Sequence, residues 1–567
     1  MKMIKKVLFY ILITVAPSLN AQTLEWALSM GGANANGDFG RSICVDALGN
    51  VYTVGSFSGT ADFDAGVGTA SLNSVGQGDI FIQKMDGNGN FLWAKSVGGI
   101  LVDVATSIDV DAHGDAYIIG SFEGTVDFDP GTGIENLTSS GGSDIFILKL
   151  DGLGNFVWAK SIGGNSTDEG ISIRIDPYGN VLTTGVFGGT VDFDPGPGVT
   201  NLTSSFGYKD IFVQKMDANG NFIWSKGVSG VSYDNATSIS VDPSGNVYIT
   251  GSFFETIDLN PDAGIANFIS VGNQDIFVLK LDSAGSFIWG KSMGGAADDI
   301  GYSINIDASG NIFTTGMFAG IVDFDPGPGM TNLTAIGSWD MFVQKLDSNG
   351  NFVWSKSIGG FFDDRSYSIG VDTFGNIYTT GKFEGTVDFD PGPGITNLIS
   401  AGNEDIFIQK LDASGNFLWA GSIGGASLDL AASITLDALN NVYATGSFMN
   451  TGDFDPGVGT VSLTSAGGHD IFVLKMNPTT TSTNTLRKDI PVSIFPNPST
   501  GTVNILLDGS LKDVEIILAD ITGKIISTRS YNSFISTSFE LPETKGVYLL
   551  TITAKKEGKT IMKLIKY

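Results

Sequence analysis

The sequence is poor in the side chains on which most enzymes and metal centres depend. It has one cysteine, Cys44, and two histidines, His113 and His469, among 567 residues. A single cysteine excludes an intrachain disulfide, and no His-Glu-x-x-His metal motif is present. Neither histidine recurs in the repeats described below. We therefore expect a protein that is not an enzyme.

Basic residues are also scarce, and they are unevenly placed. Thirty-one Lys and Arg stand against 60 Asp and Glu, a formal net charge of −29. The first 21 residues and the segment from Asn484 onward each carry +3, which leaves 17 basic and 52 acidic residues between them. Nucleic acids and anionic membranes bind through Lys and Arg. The sequence therefore predicts no nucleic-acid partner and favours cations or basic partners.

Long apolar runs are missing except near the N-terminus. Lys2, Lys5 and Lys6 precede the apolar run 7–16, and Leu19-Asn20-Ala21 follows it. This order is typical of a secretory signal peptide, predicted here at residues 1–21. The run is too short to be a permanent membrane span, and no later segment predicts a transmembrane helix.

What the sequence does contain is a repeat of about 65 residues. Its fourth copy has strand-like pieces at 238–242, 247–253, 275–282 and 287–292, each alternating or rich in β-branched and aromatic residues. Asp-x-x-Gly-Asn turns join the first two pieces and predict hairpins. Each unit thus predicts four strands, A to D, with an acidic connection between B and C. The repeat is marked by Trp26, Trp93, Trp158, Trp224, Trp289, Trp354 and Trp419.

The strand count predicts how the repeats close. Each strand type occurs seven times, but the first strand D precedes the first strand A, and the last unit lacks a strand D. An open array would leave exposed edges, whereas radial repetition protects them. We predict an all-β fold: a seven-bladed β-propeller over residues 22–477, closed by the N-terminal strand and followed by a small β-sandwich. A solenoid and two smaller propellers are the alternatives.

The repeat motif itself resembles a known family. The pattern Ser-Ile-x-Val-Asp-x-x-Gly-Asn-Val-Tyr-x-Thr-Gly-Ser-Phe, followed by Asp-Ile-Phe-Val-x-Lys-Leu-Asp, is similar to the SBBP class of bacterial β-propeller repeats over roughly residues 24–477. The resemblance implies a propeller in a secreted or surface protein, with no fixed activity attached.

Beyond the repeats, residues 478–489 are polar and aperiodic, which predicts a linker. Strand-like runs at 504–507, 514–518, 524–527 and 547–553 then predict a small β-sandwich over residues 490–567.

This tail resembles the type A C-terminal sorting domain of the type IX secretion system. The resemblance implies a Bacteroidota-type bacterium, the type IX machinery as a partner, passage through the periplasm, and release or anchoring at the cell surface. The matching segments are Phe495-Pro-Asn-Pro-Ser-Thr-Gly501, Asp520-Ile-Thr-Gly-Lys524, Lys545-Gly-Val-Tyr-Leu549 and Lys563-Leu-Ile-Lys-Tyr567.

The acidic connection is the first candidate binding site. It repeats Asp-Phe-Asp-Pro-Gly, and residues two apart on a strand face the same side, so each copy presents two carboxylates together. Carboxylate oxygens suit Ca²⁺, which makes calcium a possible cofactor; a solvated strand edge that discourages aggregation is the alternative. The fourth copy has Asp258 and Asn260. The other pairs are Asp62 and Asp64, Asp127 and Asp129, Asp192 and Asp194, Asp323 and Asp325, Asp388 and Asp390, and Asp453 and Asp455.

Two further repeated positions invite a structural interpretation. An aspartate precedes every strand A, as at Asp168, and we expect its carboxylate to accept backbone N–H bonds. A rim of carboxylates that attracts cations to one mouth of the central channel is the alternative. The position of Cys44 holds polar or small residues in the other copies, which predicts a solvent-facing thiol without a role.

Aromatic residues outside the repeat register are the second candidate site. The seven repeated tryptophans are expected to be core between blades, because each aromatic ring buries a large apolar area. Aromatic residues in loops where the other copies have small or polar residues could instead stack on sugar rings. These residues are Tyr208, Tyr233, Trp339, Phe361 and Phe362.

The sequence therefore predicts a secreted or cell-surface module for binding or adhesion, whose ligand is a glycan or a protein. A structural surface scaffold without a discrete ligand is one alternative. A polysaccharide-active enzyme that uses a carboxylate pair is the other.

Overall fold

The computed structural model describes residues 22–478, 492–495, 499–520, 524–542, 544–554 and 558–566. These residues form strands and turns, and none of them belongs to a helix that could cross a membrane. The chain divides into two compact units, Met1–Thr479 and Thr480–Tyr567. The predicted signal peptide, 1–21, and all but the first residue of the predicted linker, 478–489, lie outside the described residues.

The described residues of the first compact unit form 36 strands. Those of its first half are β1 (Gln22–Met30), β2 (Phe39–Val45), β3 (Val51–Phe57), β4 (Thr60–Asp62), β5 (Ser71–Asn73), β6 (Asp79–Met85), β7 (Phe91–Val97), β8 (Val104–Val110), β9 (Ala116–Phe122), β10 (Thr125–Asp127), β11 (Asn136–Thr138), β12 (Asp144–Leu150), β13 (Phe156–Ile162), β14 (Glu169–Ile175), β15 (Val181–Gly188), β16 (Thr190–Asp192), β17 (Asn201–Thr203), β18 (Lys209–Met216) and β19 (Phe222–Gly230). The remainder are β20 (Asp234–Val241), β21 (Val247–Asp258), β22 (Asn267–Leu281), β23 (Phe287–Gly295), β24 (Ile300–Ile306), β25 (Ile312–Phe318), β26 (Ile321–Asp323), β27 (Asn332–Thr334), β28 (Asp340–Leu346), β29 (Phe352–Ile358), β30 (Arg365–Val371), β31 (Ile377–Asp388), β32 (Asn397–Leu411), β33 (Phe417–Gly425), β34 (Leu430–Leu436), β35 (Val442–Asp453) and β36 (Ser462–Pro478).

Each repeat is an antiparallel sheet with strands in the order A, B, C, D, as in β8-β9-β12-β13. The last repeat has β34, β35 and β36, and β1 pairs antiparallel with β36, with Met30 opposite Ile471. The A–B turns follow their predicted chemistry. In the first, Asp46 accepts N–H bonds from Leu48 and Asn50, and Gly49 has the left-handed φ of +84°.

The acidic connection between B and C is more ordered than the sequence predicts. It forms a short two-stranded ribbon, as in β4 and β5, where Asp62 lies opposite Ser71. In three repeats the ribbon is continuous with strands B and C, which lengthens them into β21 and β22, β31 and β32, and β35 and β36.

Neighbouring sheets share their apolar layers. Tyr52 of the first repeat and Ile108 of the second belong to one buried cluster, and equivalent clusters join every following pair of repeats. Tyr443 of the last repeat likewise shares a cluster with Val51 of the first. The A strands contact one another in chain order, and β34 contacts β2. The repeat region is therefore propeller-like, with its core between the sheets.

Each repeated tryptophan packs at the seam between two sheets, as predicted. Trp158 is partly buried against such a cluster, and its indole Nε1 donates to the Ala218 carbonyl of the next repeat's C–D turn at 3.2 Å. Lys149 Nζ donates to the same oxygen at 3.5 Å. Gly220 closes that turn at a φ of +76°, and a Cβ there would lie 3.3 Å from the Trp158 ring. The turn thus needs glycine for its conformation and for its contact with the indole.

In the second compact unit, the residues that the structure describes form a five-stranded antiparallel sheet. Its strands are β37 (Val492–Phe495), β38 (Thr502–Asp520), β39 (Ile525–Glu540), β40 (Gly546–Ala554) and β41 (Gly558–Lys566). The predicted strands at 504–507 and 514–518 are one long strand, β38, whose pairing with β39 shifts register between Leu506 and Leu511. Val503 and Ile516, on the two sides of that shift, belong to one buried cluster.

The seam predicts a difference between two tryptophans. Trp289 Nε1 is buried without an acceptor, whereas Trp158 Nε1 donates to Ala218. Trp158→Phe should therefore lower the free energy of unfolding by about 1 kcal/mol more than Trp289→Phe does. Urea denaturation of the two variants, followed through the transition of the repeat region, measures this difference. Equal losses would show that the indole hydrogen bond does not stabilise the seam.

Candidate functional site

The A strands surround a cavity of about 280 Å³. A serine stands at the same position of every A strand, and its hydroxyl links neighbouring strands: Ser42 Oγ accepts the N–H of Ile108 at 3.3 Å. Five more neighbouring pairs make the same bond. The cavity wall is consequently polar. The lining serines are Ser42, Ser107, Ser172, Ser238, Ser303, Ser368 and Ser433.

Cys44 lines this cavity, and the prediction that it faces solvent is wrong. Its side chain is 8% exposed and belongs to the apolar layer between the first two repeats. Burial raises the pKa of the Cys44 thiol well above its usual range, so the thiol is neutral at physiological pH. Diverse residues are tolerated here because the position borders a cavity, where side chains of many sizes can be accommodated.

The aspartate before each A strand has the predicted structural role in six of seven repeats. Asp168 is fully buried, and its Oδ2 and Oδ1 accept the N–H groups of Gly164 and Gly188, both at 2.8 Å. Five other repeats show the same two bonds. Each carboxylate thereby ties the D–A loop to the end of strand B. Asp234 is the exception, since neither of its oxygens makes a hydrogen bond of ordinary geometry within the described residues, although the nearby N–H groups of Gly230 and Phe254 act to lower its pKa.

Sequence reasoning missed a second buried aspartate that lies beside the first. It begins the Asp-Ile-Phe motif of strand C, and in the sixth repeat it is Asp405, 2% exposed. Asp405 Oδ1 and Asp429 Oδ2 are each 2.8 Å from the point where a Cβ on Gly424 would lie, so they are at most 5.6 Å apart. A side chain at Gly424 would displace both carboxylates. The invariance of this Asp across all seven copies was the available signal.

Burial and mutual repulsion shift the acidity of these pairs. Desolvation, then the charge of Asp210, raises the pKa of Asp234 to about 8. Desolvation raises the pKa of Asp364 to about 7, with a further contribution from Asp340. These side chains favour the protonated form in the folded state.

The paired acids of the B–C ribbons hold their own loops. Asp62 Oδ1 accepts the N–H groups of Asp64 at 3.1 Å and Ala70 at 2.8 Å, and Asp64 Oδ1 accepts that of Gly66 at 2.8 Å. The same bonds recur in the other ribbons. Phe63 between them is fully buried, as the alternation predicts. Among the described residues no three His, Cys, Asp or Glu side chains are grouped closely enough to hold a metal.

The off-register aromatic residues form two groups on one face. They lie in D–A loops or just before strand C, and in every repeat both segments are at the end where strand A begins. Tyr208 and Tyr233 are 37% and 57% exposed, with ring centroids 4.8 Å apart and edge-on. The second group contains Trp339, which is partly buried under the Arg365 guanidinium at 5.0 Å, and the exposed Phe361 and Phe362.

One stretch resembles a phosphate-binding motif only in its letters. Residues 285–292 read Gly-Ser-Phe-Ile-Trp-Gly-Lys-Ser, which fits the Gly-x-x-x-x-Gly-Lys-Ser pattern. That motif requires a loop between a strand and a helix. Here Gly285 and Ser286 belong to a C–D turn and residues 287–292 belong to β23, so no phosphate loop is formed.

Comparisons with known proteins identify the two kinds of unit. Residues 493–567 match the family model of the secretion system C-terminal sorting domain. Residues 223–252 and 353–382 match the model of the SBBP β-propeller repeat. Both resemblances drawn from the sequence motifs are confirmed: the chain carries SBBP propeller repeats and a type IX sorting domain, which indicates a secreted or cell-surface protein.

Two curated relatives align with part of the chain. An uncharacterized WD repeat-containing protein of Acanthamoeba polyphaga mimivirus is 25% identical over 435 residues, which are 63% of this chain and 31% of that protein. The regulatory protein FlaEY of Caulobacter vibrioides is 27% identical over 183 residues, 30% of this chain and 19% of that protein. The chain thus spans less than a third of either relative.

Two solved structures show distant likeness. One is a fungal alcohol oxidase of the AA5 family in complex with copper, 12% identical, with a TM-score of 0.39 and coverage of 96% of this chain and 99% of that one. The other is Sqt1 from Chaetomium thermophilum, 10% identical, with a TM-score of 0.36 and coverage of 81% and 100%.

The raised pKa values predict that the fold weakens as pH rises. An aspartate with a pKa near 4 when unfolded and about 8 when folded stabilises the protein below pH 4, and this stabilisation is lost as pH rises to 8. The melting temperature should therefore fall between pH 5 and pH 8.5. Asp234→Asn, which mimics the protonated form, should flatten this fall, whereas Asp62→Asn should not. A melting temperature that rises over this range would contradict the argument.

The calcium site at the ribbons remains a prediction with a direct test. Bound Ca²⁺ would stabilise the folded state by mass action, so the melting temperature should be higher in calcium than in EDTA. The double variant Asp192→Asn with Asp194→Asn should reduce this difference. Identical melting temperatures in calcium and EDTA would eliminate calcium as a cofactor.

Proposed function

We propose that the repeat region is a single closed seven-bladed propeller that binds a glycan or protein ligand at the cell surface. The supporting observation is that the five aromatic residues named above form two groups on one face, around the ends of β18 to β20 and β28 to β30, whereas the exposed aromatics of the opposite face, Tyr178 and Phe374, occur one to an A–B turn. A binding face that serves one ligand needs such asymmetry in an otherwise repeated surface.

Ring closure is supported by the contacts at the two ends of the repeat array. β1 supplies the fourth strand of the last sheet, β34 lies against β2, and Tyr443 packs with Val51. The apolar layer between the last and first repeats is thus of the same kind as the others. A closed ring would hold the aromatic loops on a rigid platform.

Export is proposed to begin with the signal peptide at residues 1–21 and to pass through the periplasm to the type IX machinery, in a bacterium of the Bacteroidota. The sorting domain supports the final step. The proposed protein is non-enzymatic, since its buried aspartates and ribbon acids recur in every repeat, whereas an active site needs a distinct set. A passive surface scaffold is the alternative if no ligand is found.

The test is binding of the purified full chain to a broad glycan and polysaccharide array. The double variant Tyr208→Ala with Tyr233→Ala should weaken binding about tenfold, or about 1.4 kcal/mol. Tyr178→Ala is the matched control, because Tyr178 is an exposed tyrosine in an A–B turn on the opposite face.

An array without hits, followed by a failure to capture any surface protein, would favour the scaffold instead. Release of reducing sugar from a polysaccharide would overturn the non-enzymatic assignment.

A further inference from the structure

The arginines of the repeat region have an unusual distribution. Residues 22–478 contain only three, Arg41, Arg174 and Arg365, against an excess of acids. All three lie on A strands, β2, β14 and β30, and Arg41 and Arg174 line the central cavity. A random scatter over four strands and their loops would place most of them elsewhere. The centre of the propeller is therefore the place where this acidic protein concentrates guanidinium groups.

The three arginines differ in how they are partnered. Arg365 stacks on Trp339 and lies 3.7 Å from the Asp363 carboxylate. Arg174 donates to the Ile173 carbonyl and is close enough to the Asp109 carboxylate to lower its pKa. Arg41 makes no hydrogen bond or ion pair with any residue in the described part of the chain, and its side chain remains exposed to the cavity.

The guanidinium of Arg41 faces the cavity without an ionic partner among the described residues. The surrounding strands partly desolvate Arg41 and lower its pKa, although an arginine remains charged at physiological pH. The carboxylates of Glu169 and Glu404 do not pair with Arg41, because Glu169 pairs with Lys209 and Glu404 pairs with Lys382. A bound anion would supply the missing partner, and a carboxylate fits the guanidinium fork with two parallel hydrogen bonds.

The residues that line the cavity at the same height as Arg41 indicate which kind of molecule bears the anionic group. Arg41 is the third residue of its A strand, and the same position holds Tyr302 and Tyr367, whose rings are 5.2 Å apart. Ala432 stands between Arg41 and Tyr367 in the ring of strands and leaves room beside the guanidinium. Thr106, on the neighbouring strand β8, and Thr237, on the far side, also line the cavity. Their hydroxyl groups donate to the carbonyls of Gly170 and Gly301 and can still accept hydrogen bonds from a ligand. Tyrosine rings, hydroxyl groups and one arginine match the apolar faces, hydroxyl groups and carboxylate of a sugar acid.

Size and charge restrict the ligand further. A volume of about 280 Å³ is at the lower limit for a ligand pocket, so it holds one sugar rather than an oligosaccharide. The acidic residues in the rest of the repeat region repel a ligand with many negative charges. A ligand with one negative charge is repelled much less, because salt screens charges more than about 8 Å away at physiological ionic strength. Both restrictions favour a single acidic sugar at a chain end.

We infer that the central cavity binds the terminal sugar acid of a glycan, with its carboxylate on Arg41 and its ring beside Tyr302 and Tyr367. This inference rests on the proposed glycan-binding function and assigns it a chemical class and a site.

The test is calorimetric titration of the full chain with glucuronate and with glucose, which differ at one carboxylate. Glucuronate should bind and glucose should bind at least tenfold more weakly. Arg41→Ala should weaken glucuronate binding by roughly 10- to 100-fold, as expected for hydrogen bonds to a charged group, and Arg41→Lys should weaken it less. Because Arg41 has no protein partner, Arg41→Ala should melt at the same temperature as the unmodified protein.

Lys209→Ala is the matched control, since it removes one positive charge from the same face outside the cavity. It should change the glucuronate affinity less than twofold. Equal binding of glucuronate and glucose, or equal effects of Arg41→Ala and Lys209→Ala, would overturn the inference. Tighter binding of an acidic peptide than of glucuronate would overturn the carbohydrate class.

The titration also separates this inference from the proposed function. Array hits that persist unchanged in Arg41→Ala, with no glucuronate binding, would remove the cavity site and leave the glycan-binding propeller intact. If the array shows no hits and the titration shows no heat of binding, both the cavity site and the glycan-binding function are ruled out.

Discussion

The packing of one sheet on the next is the interaction on which the repeat region depends. A four-stranded sheet of these sequences has apolar residues on both faces, as the successive residues Val51 and Tyr52 of β3 illustrate, and it cannot bury them alone. When sheets stack around an axis, a sheet buries both of its apolar faces only if it has a neighbour on each side. The tryptophan seams, the serine links between A strands and the aspartates that tie loops to strand ends all fix the spacing at which this stacking occurs.

Much of this architecture follows from the sequence, because local chemistry and global pattern agree. The 65-residue period, the alternation within each strand and the Asp-x-x-Gly-Asn turns predict the four strands of every repeat, and the tryptophans occupy the seams expected of them. The short ribbons such as β4 and β5 are harder to predict, since three alternating residues are too few to distinguish a strand from a loop.

The features of the candidate sites were less predictable, for identifiable reasons. Asp405 and Asp429 belong to different motifs 24 residues apart, and only the fold brings their carboxylates together. Cys44 occupies a position of variable residue type, and variability is a property of cavity walls as well as of outer surfaces. Arg41 has no hydrogen-bond or ion-pair partner among the described residues around it, and the absence of a partner can be seen only in the folded structure. The off-register aromatic residues could be found from the sequence, because a repeat makes it easy to see a residue that differs from its counterparts in the other copies.

The pairing of β1 with β36 also determines when the repeat region can finish folding. Met30 lies opposite Ile471, 441 positions further along the chain, so this pairing has a contact order far above that of the hairpins inside each repeat. During N- to C-terminal synthesis the first strand has no partner until the seventh repeat has emerged. The edge of β36 likewise stays unprotected until β1 arrives. The last step of folding of the repeat region is thus postponed until β36 has been synthesised and has met β1.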